Sequence, residues 1–290
     1  MSTGPDGLAV IDKAPGWTSH DAVAKLRGVL GTRKVGHAGT LDPGATGVLL
    51  VGVGRVTRLL RFLTPLRKVY VGQIVLGSET TTLDAEGDVT ATYDMSHVTL
   101  DAAREAALAL TGDIWQVPPM VSAVKVGGRR LHELAREGVE VEREARPVTV
   151  HRFELTSVDG EPGVLEAEVE CSSGTYVRTL AADLGAALGG GAHLRALRRT
   201  AIGSFTLADA HPVEAPVVLP PAAALRDYAS VRADTDTAVL VGHGRVLDRA
   251  TLGADGDGPW PVVDPEGRLL AVYEPAGDGR VKPAVVVAPR

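Results

Sequence analysis

The chain has 290 residues, of which 44% are hydrophobic and 23% are charged, as is typical of a globular protein. Its net charge of −6 argues against a simple cationic nucleic-acid binder. The single cysteine, Cys171, cannot form an internal disulfide, and the N-terminus does not resemble a signal peptide, so we expect a cytoplasmic protein. No segment has the roughly 20 apolar residues that span a bilayer, so we expect no membrane association.

The first predicted element is a helix in TSHDAVAKLRGVLG. Thr18 suits the N-cap, with Asp21 three residues later, and Gly31 suits the C-terminal end. Apolar side chains at helical spacing predict one buried face, formed by Val23, Leu26 and Leu30.

Strands and further helices follow. The segments KVYVGQIVLG, PVTVHRFEL and VLEAEVEC predict strands, because β-branched residues and alternation dominate them. In the third segment, alternation places Cys171 on the apolar face, which predicts a small core residue and not a nucleophile. TLDAAREAALALTG predicts a helix capped by Thr99, and TYVRTLAADLGAALGGG predicts a strand that turns into a helix.

The order of these elements favours the α+β class, because strands and helices mix without a regular βαβ alternation. Four prolines between positions 212 and 221 predict a stiff linker. Beyond them, short strand patterns alternate with Gly, Asp and Pro turns, which predicts a small all-β domain. We therefore expect one domain over residues 1–225 and a second over residues 226–290.

Charge is segregated along the chain. Residues 1–70 contain ten Lys or Arg and four Asp or Glu, whereas residues 71–115 contain one Arg and eight acids. The run GRVTRLLRFLTPLRKV contains five basic residues and no acid. Such a run is either a solvated helix face or part of a basic surface. The segregation by sign favours a basic surface that binds a polyanion.

The most distinctive motif is GHAGTLDPGATG, in which glycines surround Asp42. It is not a nucleotide P-loop, because Gly44 is followed by Ala45, where a P-loop has Lys. The nearby VGVGRVT is not a dinucleotide fingerprint, because it lacks the third glycine. One interpretation is an ordinary Asp-Pro-Gly turn. The other is a carboxylate held as a nucleophile towards a sugar or a base, since Pro43 restricts the backbone of Asp42 and glycines permit close approach.

Three other segments carry reactive or cationic side chains. CSSGTYVRTLAADLG contains Tyr176 and Arg178, PPMVSAVKVGGRRLHELAREG contains Lys125, and AHLRALRRTAIGSF contains three arginines. Each is a weak signal alone, since a strand end or a solvated charge accounts for it equally well. No cluster of His, Cys or acidic residues has the spacing of metal ligands, so we expect no metal.

Together and in this order, the segments resemble the bacterial TruB-type tRNA pseudouridine synthases. The resemblance covers essentially the whole chain and includes DKAPGWTSHDAV, VGHAGTLDPGATGVLLVGVGRVT, KVYVGQIVLGSETTTLDAEG, PPMVSAVKV, SSGTYVRTLAADLG and LRRTAIGSF. It implies a mixed, largely antiparallel sheet flanked by helices, followed by a PUA-like RNA-binding domain. It also implies an isomerase that converts uridine 55 in the T-loop of tRNA to pseudouridine, with no cofactor. We expect a monomer that binds the T-arm.

The resemblance implies catalytic roles for three residues. Asp42 matches the aspartate that attacks the nucleoside, and Arg178 matches the arginine that pairs with it. Tyr70 matches the tyrosine that stacks on the flipped base and assists its deprotonation. An adjacent guanidinium favours the ionised carboxylate, which is the nucleophilic form. Attack at C1′, attack at C6 and a glycal route all stay open.

The resemblance also implies residues that bind the substrate. Tyr176 and Leu197 match residues that line the uracil pocket. His37 matches the histidine that approaches the space left when the T-loop opens. Arg58 stands where many members have lysine and keeps a cation for phosphate contact, and Lys125 adds to the basic surface.

Two other classes of function stay open. A nucleoside glycosidic hydrolase would also place an aspartate against a sugar, although such enzymes usually use two carboxylates and this loop supplies one. A non-catalytic RNA-binding or RNA-folding protein would have no need of Asp42, Tyr70 and Arg178 together. Residues 226–290 contain eight Lys or Arg and ten Asp or Glu, so we expect that domain to add little RNA affinity.

Overall fold

A computed structural model of the protein describes residues 4–122, 124–139 and 141–287. The strands of the N-terminal part are β1 Gly7–Lys13, β2 Val35–Ala38, β3 Thr46–Val53, β4 Lys68–Leu76, β5 Ser78–Thr80, β6 Val89–Thr92, β7 Gly112–Gln116, β8 Lys125–Val126, β9 Arg129–Arg130, β10 Arg146–Ser157, β11 Val164–Cys171, β12 Ala192–Ile202, β13 Phe205–Thr206 and β14 Val218–Leu219. The strands of the C-terminal part are β15 Val231–Arg232, β16 Leu247–Asp248, β17 Trp260–Val263, β18 Leu269–Gly277 and β19 Arg280–Val286.

The α-helices are α1 Ser19–Val29, α2 Leu60–Leu63, α3 Leu100–Ala109, α4 Leu131–Arg136, α5 Val177–Ala187, α6 Thr235–Gly242 and α7 Arg249–Leu252. Helix α1 begins as predicted. The Thr18 hydroxyl accepts a hydrogen bond from Asp21 N at 3.1 Å, and the Asp21 carboxylate accepts one from Thr18 N at 2.9 Å. Its apolar face, including Val23 and Leu26, packs against β1 and β3. Local capping chemistry and apolar spacing therefore set this helix.

The main sheet has the order β14-β1-β3-β12-β4-β11-β10-β7, with β2 paired to β3 and β13 paired to β12. All of these described pairs are antiparallel except β3 with β12. Helices α3 and α5 pack across the half formed by β4, β10, β11 and β12, where Cys171 is fully buried. The predicted α+β class, the mixed, largely antiparallel sheet and the core position of Cys171 are confirmed.

Strand β4 lies between β12 and β11, and its register places Tyr70 opposite Arg199 of β12. Strand β3 runs parallel to β12, with Gly47 opposite Arg199. A Cβ atom at Gly47, whose φ is +98°, would lie 2.2 Å from the Arg199 carbonyl oxygen, so only glycine permits this approach. The segment that precedes β3 is thereby brought beside Tyr70.

The proline-rich segment 212–221 lies on the main sheet, so the prediction of a stiff linker is wrong. His211 forms a bridge with Ile11, and β14 pairs with the same edge of β1, opposite β3, through Val218 and Leu219. Proline is tolerated on an edge strand because no further strand needs its N–H group.

The C-terminal part, residues 226–287, forms a five-stranded sheet in the order β15-β17-β18-β19-β16. The predicted β domain is confirmed, and helices α6 and α7 are additions that the turn pattern did not predict. Its own core contains Trp260 and Tyr273, both almost fully buried.

A second cluster joins the C-terminal part to the rest of the protein. It combines Phe62 and Leu63 of α2 and neighbouring residues with five side chains from the C-terminal part, Val263, Leu269, Val272, Val285 and Val287. Arg55 and Arg58 also donate to the carbonyls of Val287 and Val286, at 2.8 Å each. The boundary between residues 225 and 226 stays a prediction, and the core is continuous across it.

Removing residues 226–290 is expected to lower the midpoint of thermal unfolding by at least about 5 °C. Full burial of one Val or Leu side chain stabilises a protein by about 1.5–3 kcal/mol, and five such side chains complete the shared cluster. Calorimetry of the full chain and of a chain ending at Leu225 measures the change. An unchanged midpoint would show that the two parts fold independently.

Candidate active site

Asp42 lies in the loop between β2 and β3, and both of its neighbours are held by other elements. On one side, the buried hydroxyl of Ser19 accepts from Leu41 N at 2.9 Å and donates to Leu41 O at 3.2 Å. On the other side, Pro43 O accepts from Lys13 Nζ at 3.1 Å and from Gly16 N at 2.9 Å. These contacts limit movement of the Asp42 backbone.

Arg199 holds the first residues of the same loop through hydrogen bonds to their carbonyls. Its guanidinium is buried, and it donates to the carbonyls of Val48 at 2.7 Å, Gly39 at 3.2 Å and Thr40 at 3.4 Å. Gly39 has a φ of +86°, a conformation that glycine adopts without strain. The loop is therefore a rigid turn and not a flexible glycine hinge.

The Asp42 carboxylate faces the guanidinium of Arg178. Arg178 Nη2 lies 3.0 Å from Asp42 Oδ2, and Arg178 Nη1 lies 3.4 Å from Asp84 Oδ2. The Arg178 side chain is 4% exposed, and it also donates to the carbonyls of Thr82 and Val121 at 2.9 Å each. One buried guanidinium therefore joins two carboxylates and two backbone segments.

The charges around Asp42 oppose one another. Desolvation by the surrounding walls raises the pKa of Asp42 above its usual value, and the like charge of Asp84 adds to that rise. The charge and hydrogen bond of Arg178 lower the pKa of Asp42, and Lys13 lowers it further. The Asp42 side chain nevertheless stays 44% exposed, so a ligand in the cleft reaches it. A partly desolvated carboxylate beside a fixed cation is suited to nucleophilic chemistry.

Tyr70 is 8% exposed, and desolvation raises the pKa of its hydroxyl. Arg199 opposes this rise through its charge and a hydrogen bond. Burial lowers the pKa of Lys68 to about 8, and Lys68 Nζ donates to Thr64 O and Leu66 O at 2.6 Å each. The site thus holds a phenol beside the buried Arg199 guanidinium, and Lys68 lines the same cavity.

One cavity brings most of the predicted residues together. Its lining includes the predicted catalytic and pocket residues Asp42, Tyr70, Arg178, Tyr176 and Leu197. Lys68, Ser122 and Arg199 also line it, together with the hydroxyl-bearing residues Thr40, Ser172, Ser173 and Thr175. The cavity therefore combines a carboxylate, an aromatic phenol, a guanidinium and an apolar wall, as binding of a planar polar base requires.

Three family domains match successive parts of the chain. The N-terminal domain of the TruB family pseudouridylate synthases matches residues 27–177. The tRNA pseudouridylate synthase B C-terminal domain matches residues 178–218, and the C-terminal region of tRNA pseudouridine synthase II matches residues 228–288. The chain belongs to the TruB family of pseudouridylate synthases.

Curated relatives align with this TruB-family chain over nearly its whole length. It is 46% identical to tRNA pseudouridine synthase B of Arthrobacter sp. (strain FB24), covering 98% of this chain and 97% of that protein. It is 49% identical to tRNA pseudouridine synthase B of Streptomyces coelicolor, covering 94% of each. Among solved structures, one described as "Crystal Structure of a Cbf5-Nop10-Gar1 Complex" superimposes with a TM-score of 0.76 at 26% identity, covering 98% of this chain and 85% of that chain.

Three predicted substrate-binding residues lie outside the described lining of the Asp42 cavity. His37, in β2, packs edge-to-face on His20 with 5.3 Å between ring centroids, and its Nδ1 is buried without a hydrogen-bond partner. Arg58 lies on the groove beside the C-terminal part. Lys125 lies in β8, and its side chain falls outside the described part of the chain.

Within the basic run of this chain, three of the five cations pair with acids. Arg55 pairs with Asp6 at 2.6 Å, Arg61 with Glu274 at 3.2 Å and Arg67 with Glu170 at 3.4 Å. Lys68 is buried. The acids come from distant parts of the sequence, so the basic run alone did not predict this pairing. In the run, Arg58 keeps an exposed side chain that faces a carbonyl.

Sequence reasoning missed four residues that support the site: Lys13, Asp84, Gln116 and Arg199. Asp84 and Arg199 belong to the quoted segments KVYVGQIVLGSETTTLDAEG and LRRTAIGSF, and Lys13 belongs to DKAPGWTSHDAV. The available signal for these three was a charged residue inside a segment that carries the family resemblance. Their partners are mostly backbone carbonyls, which sequence patterns do not identify.

The described residues contain neither a candidate metal site nor a candidate membrane-spanning helix. None of them form a group of three or more His, Cys, Asp or Glu side chains placed to hold a metal ion. In the same ranges, every helix is too short or too polar to cross a membrane.

Proposed function

We propose that this protein converts uridine 55 in the T-loop of tRNA to pseudouridine, acting as a cytoplasmic monomer on the T-arm. The single observation that carries the proposal is the Asp42–Arg178 pair at 3.0 Å, open to a cavity that Tyr70 also lines. Membership of the TruB family and relatives named tRNA pseudouridine synthase B support it. We further propose that residues 226–290 form a PUA-like RNA-binding domain.

The reaction is an isomerisation, and no atom enters or leaves the nucleoside overall. The bond between N1 of uracil and C1′ of ribose breaks, the uracil turns, and its C5 bonds to C1′. The proton on C5 is then lost, and N1 gains a proton. The ionised Asp42 carboxylate starts the sequence as the nucleophile, held in line by the bonds to Leu41 and Pro43. The bond that it forms to the nucleoside breaks again before the product leaves, which restores the free carboxylate.

Arg178 and Tyr70 have complementary roles in this proposal. The guanidinium keeps Asp42 ionised and returns to it when the covalent or ion-paired stage ends. The Tyr70 ring stacks on the extruded base, and its hydroxyl assists removal of the C5 proton. The walls formed by Tyr176 and Leu197 offset part of the cost of taking the base out of its stack.

A glycosidic hydrolase is the second candidate, and one observation favours it. Asp84 places a second carboxylate within 3.4 Å of the guanidinium that contacts Asp42, and hydrolases of this kind use two carboxylates. However, Asp84 is 16% exposed and is occupied by a hydrogen bond from Thr82 Oγ1 at 2.5 Å. Release of free uracil from tRNA would identify the hydrolase.

The direct test is incubation with unmodified tRNA, followed by chemical mapping of pseudouridine. We expect a single modified position at uridine 55 and no free uracil. Pseudouridine at another position would contradict the proposed target, uridine 55, but would support the proposed reaction. Unmodified tRNA after incubation with folded protein would contradict the proposed function.

An isolated T-arm stem-loop is expected to be a substrate, and an unstructured strand of the same composition is expected to react at least about 100-fold more slowly. Sequence-specific RNA recognition usually targets unstacked bases presented by a folded loop. Tritium release from uridine labelled at C5, measured for both RNAs at equal concentration, checks this. A stem-loop with a scrambled loop sequence is the control. Equal rates on the folded and unfolded RNAs would contradict recognition of the T-loop shape.

A further inference from the structure

Gln116 lies buried at the C-terminal end of β7, with 2% of its surface exposed. Its side-chain amide makes two hydrogen bonds to one distant residue. Gln116 Oε1 accepts from Tyr176 N at 2.7 Å, and Gln116 Nε2 donates to Tyr176 O at 3.1 Å. A buried amide that satisfies both backbone groups of a residue fixes where that residue lies.

Tyr176 is the N-cap residue of α5, and its own side chain makes no capping hydrogen bond. An N-cap side chain usually fixes the first turn of a helix. Here the Gln116 amide holds the cap backbone from outside the helix. Arg178 is the second residue of α5, so its guanidinium extends from the turn that Gln116 holds.

The chain that follows Gln116 makes the second contact with the same guanidinium. Val121 O accepts from Arg178 Nη2 at 2.9 Å, and this nitrogen lies 3.0 Å from Asp42 Oδ2. Gln116 therefore links two of the segments that hold Arg178, the first turn of α5 and the stretch 117–122, while Thr82 and Asp84 hold it from a third.

We propose that Gln116 is a positioning residue for the Asp42–Arg178 pair, acting through the backbone of Tyr176 and through the stretch that carries Val121. Its effect on turnover rests on the proposed function. Its effect on the geometry of the pair is independent of the substrate.

The proposal predicts a change in the acidity of Asp42. Three charged groups act on that carboxylate: Arg178 from α5, Lys13 from β1 and Asp84 from the segment after β5. If Arg178 moves away, its attraction weakens and the repulsion from Asp84 remains. The pKa of Asp42 then rises, so the carboxylate is protonated at a higher pH than in the parent.

The test compares Gln116→Met, which has similar length and forms neither bond, with Gln116→Asn, which keeps the amide but is one methylene too short. Tyr228→Phe is the matched control, because it removes a hydrogen bond of 2.6 Å to Phe62 O far from Asp42. Carboxyl ¹³C NMR of protein labelled at aspartate follows Asp42, whose resonance is assigned with Asp42→Asn. We expect the titration of Asp42 to move up by about 0.5–1 pH unit in both Gln116 variants and to stay unchanged in the control.

Single-turnover tritium release from tRNA gives the kinetic outcome. We expect a rate about 10–100-fold lower for Gln116→Met, with tRNA affinity within about threefold of the parent and a larger loss at low pH. An unchanged titration of Asp42 in either folded variant would overturn the proposal. If the parent released no tritium, the proposed function would fail, and the titration would still test Gln116.

Discussion

Replacing Asp42 with Asn is expected to lower turnover by at least about 10⁴-fold, which is roughly 5.5 kcal/mol of activation free energy. Asn keeps the size of the side chain and its hydrogen bond to Arg178, but it removes the negative charge and the nucleophilic oxygen. Affinity for tRNA is expected to stay equal or to rise, because a charge that repels phosphate is gone. A loss confined to turnover is the signature of a group that acts in the reaction itself.

Tritium release from tRNA labelled at uridine C5, beside a binding titration, measures both quantities. Asp42→Ala should run in parallel, because deamidation of Asn would restore some activity. Asp183→Asn is the matched control: desolvation also raises the pKa of Asp183, but this residue lies further along α5, away from the cavity lining. Turnover within tenfold of the parent in both Asp42 variants would show that Asp42 is not the nucleophile.

Features that depend on neighbouring residues in the sequence were predictable. The Thr18–Asp21 cap and the buried face of β11 follow from local chemistry, and the structure contains both. The resemblance to a family carried further, since Asp42, Tyr70 and Arg178 are far apart in sequence yet line one cavity. Composition and spacing alone would not have predicted that these three residues share one site.

Features that depend on contacts across the sheet were not predictable. Arg199 supports the loop that carries Asp42 through the carbonyls of Gly39 and Thr40, and any residue supplies a carbonyl. Asp84 reaches Arg178 because its segment pairs with β12, where Ala85 N donates to Leu194 O at 3.0 Å. Such partnerships depend on register, which sequence patterns do not determine for distant strands.

Ion pairs of the basic run with distant acids were likewise not predictable from the sequence. Arg55 pairs with an acid 49 positions away, and Arg61 with one 213 positions away. Charge counted along the sequence therefore overstated the cationic surface that is free to meet RNA. If the proposed function holds, we expect RNA recognition to depend more on shape and on base contacts in the cavity than on a broad electrostatic field.

Changing Tyr70 to Phe is expected to reduce turnover by about 10²–10⁴-fold, with little change in tRNA affinity. The ring that stacks on the base is kept, and only the hydroxyl is lost. Burial beside β11 and β12 raises the pKa of Tyr70 and favours its neutral hydroxyl, while the charge of Arg199 and its hydrogen bond oppose that rise. A hydroxyl that lines the cavity can relay the C5 proton onward, and a phenyl ring cannot.

Single-turnover assays separate this proton transfer from binding and product release. Tyr228→Phe is again the matched control, since it deletes a partly buried hydroxyl that donates to Phe62 O at 2.6 Å outside the site. We expect normal turnover for Tyr228→Phe. For Tyr70→Phe we expect a tRNA affinity close to that of the parent. If Tyr70→Phe turned over at the parent rate, the ring alone would matter. The C5 proton would then have to leave to another group of the cavity, of which Lys68, with a pKa of about 8, is the next candidate.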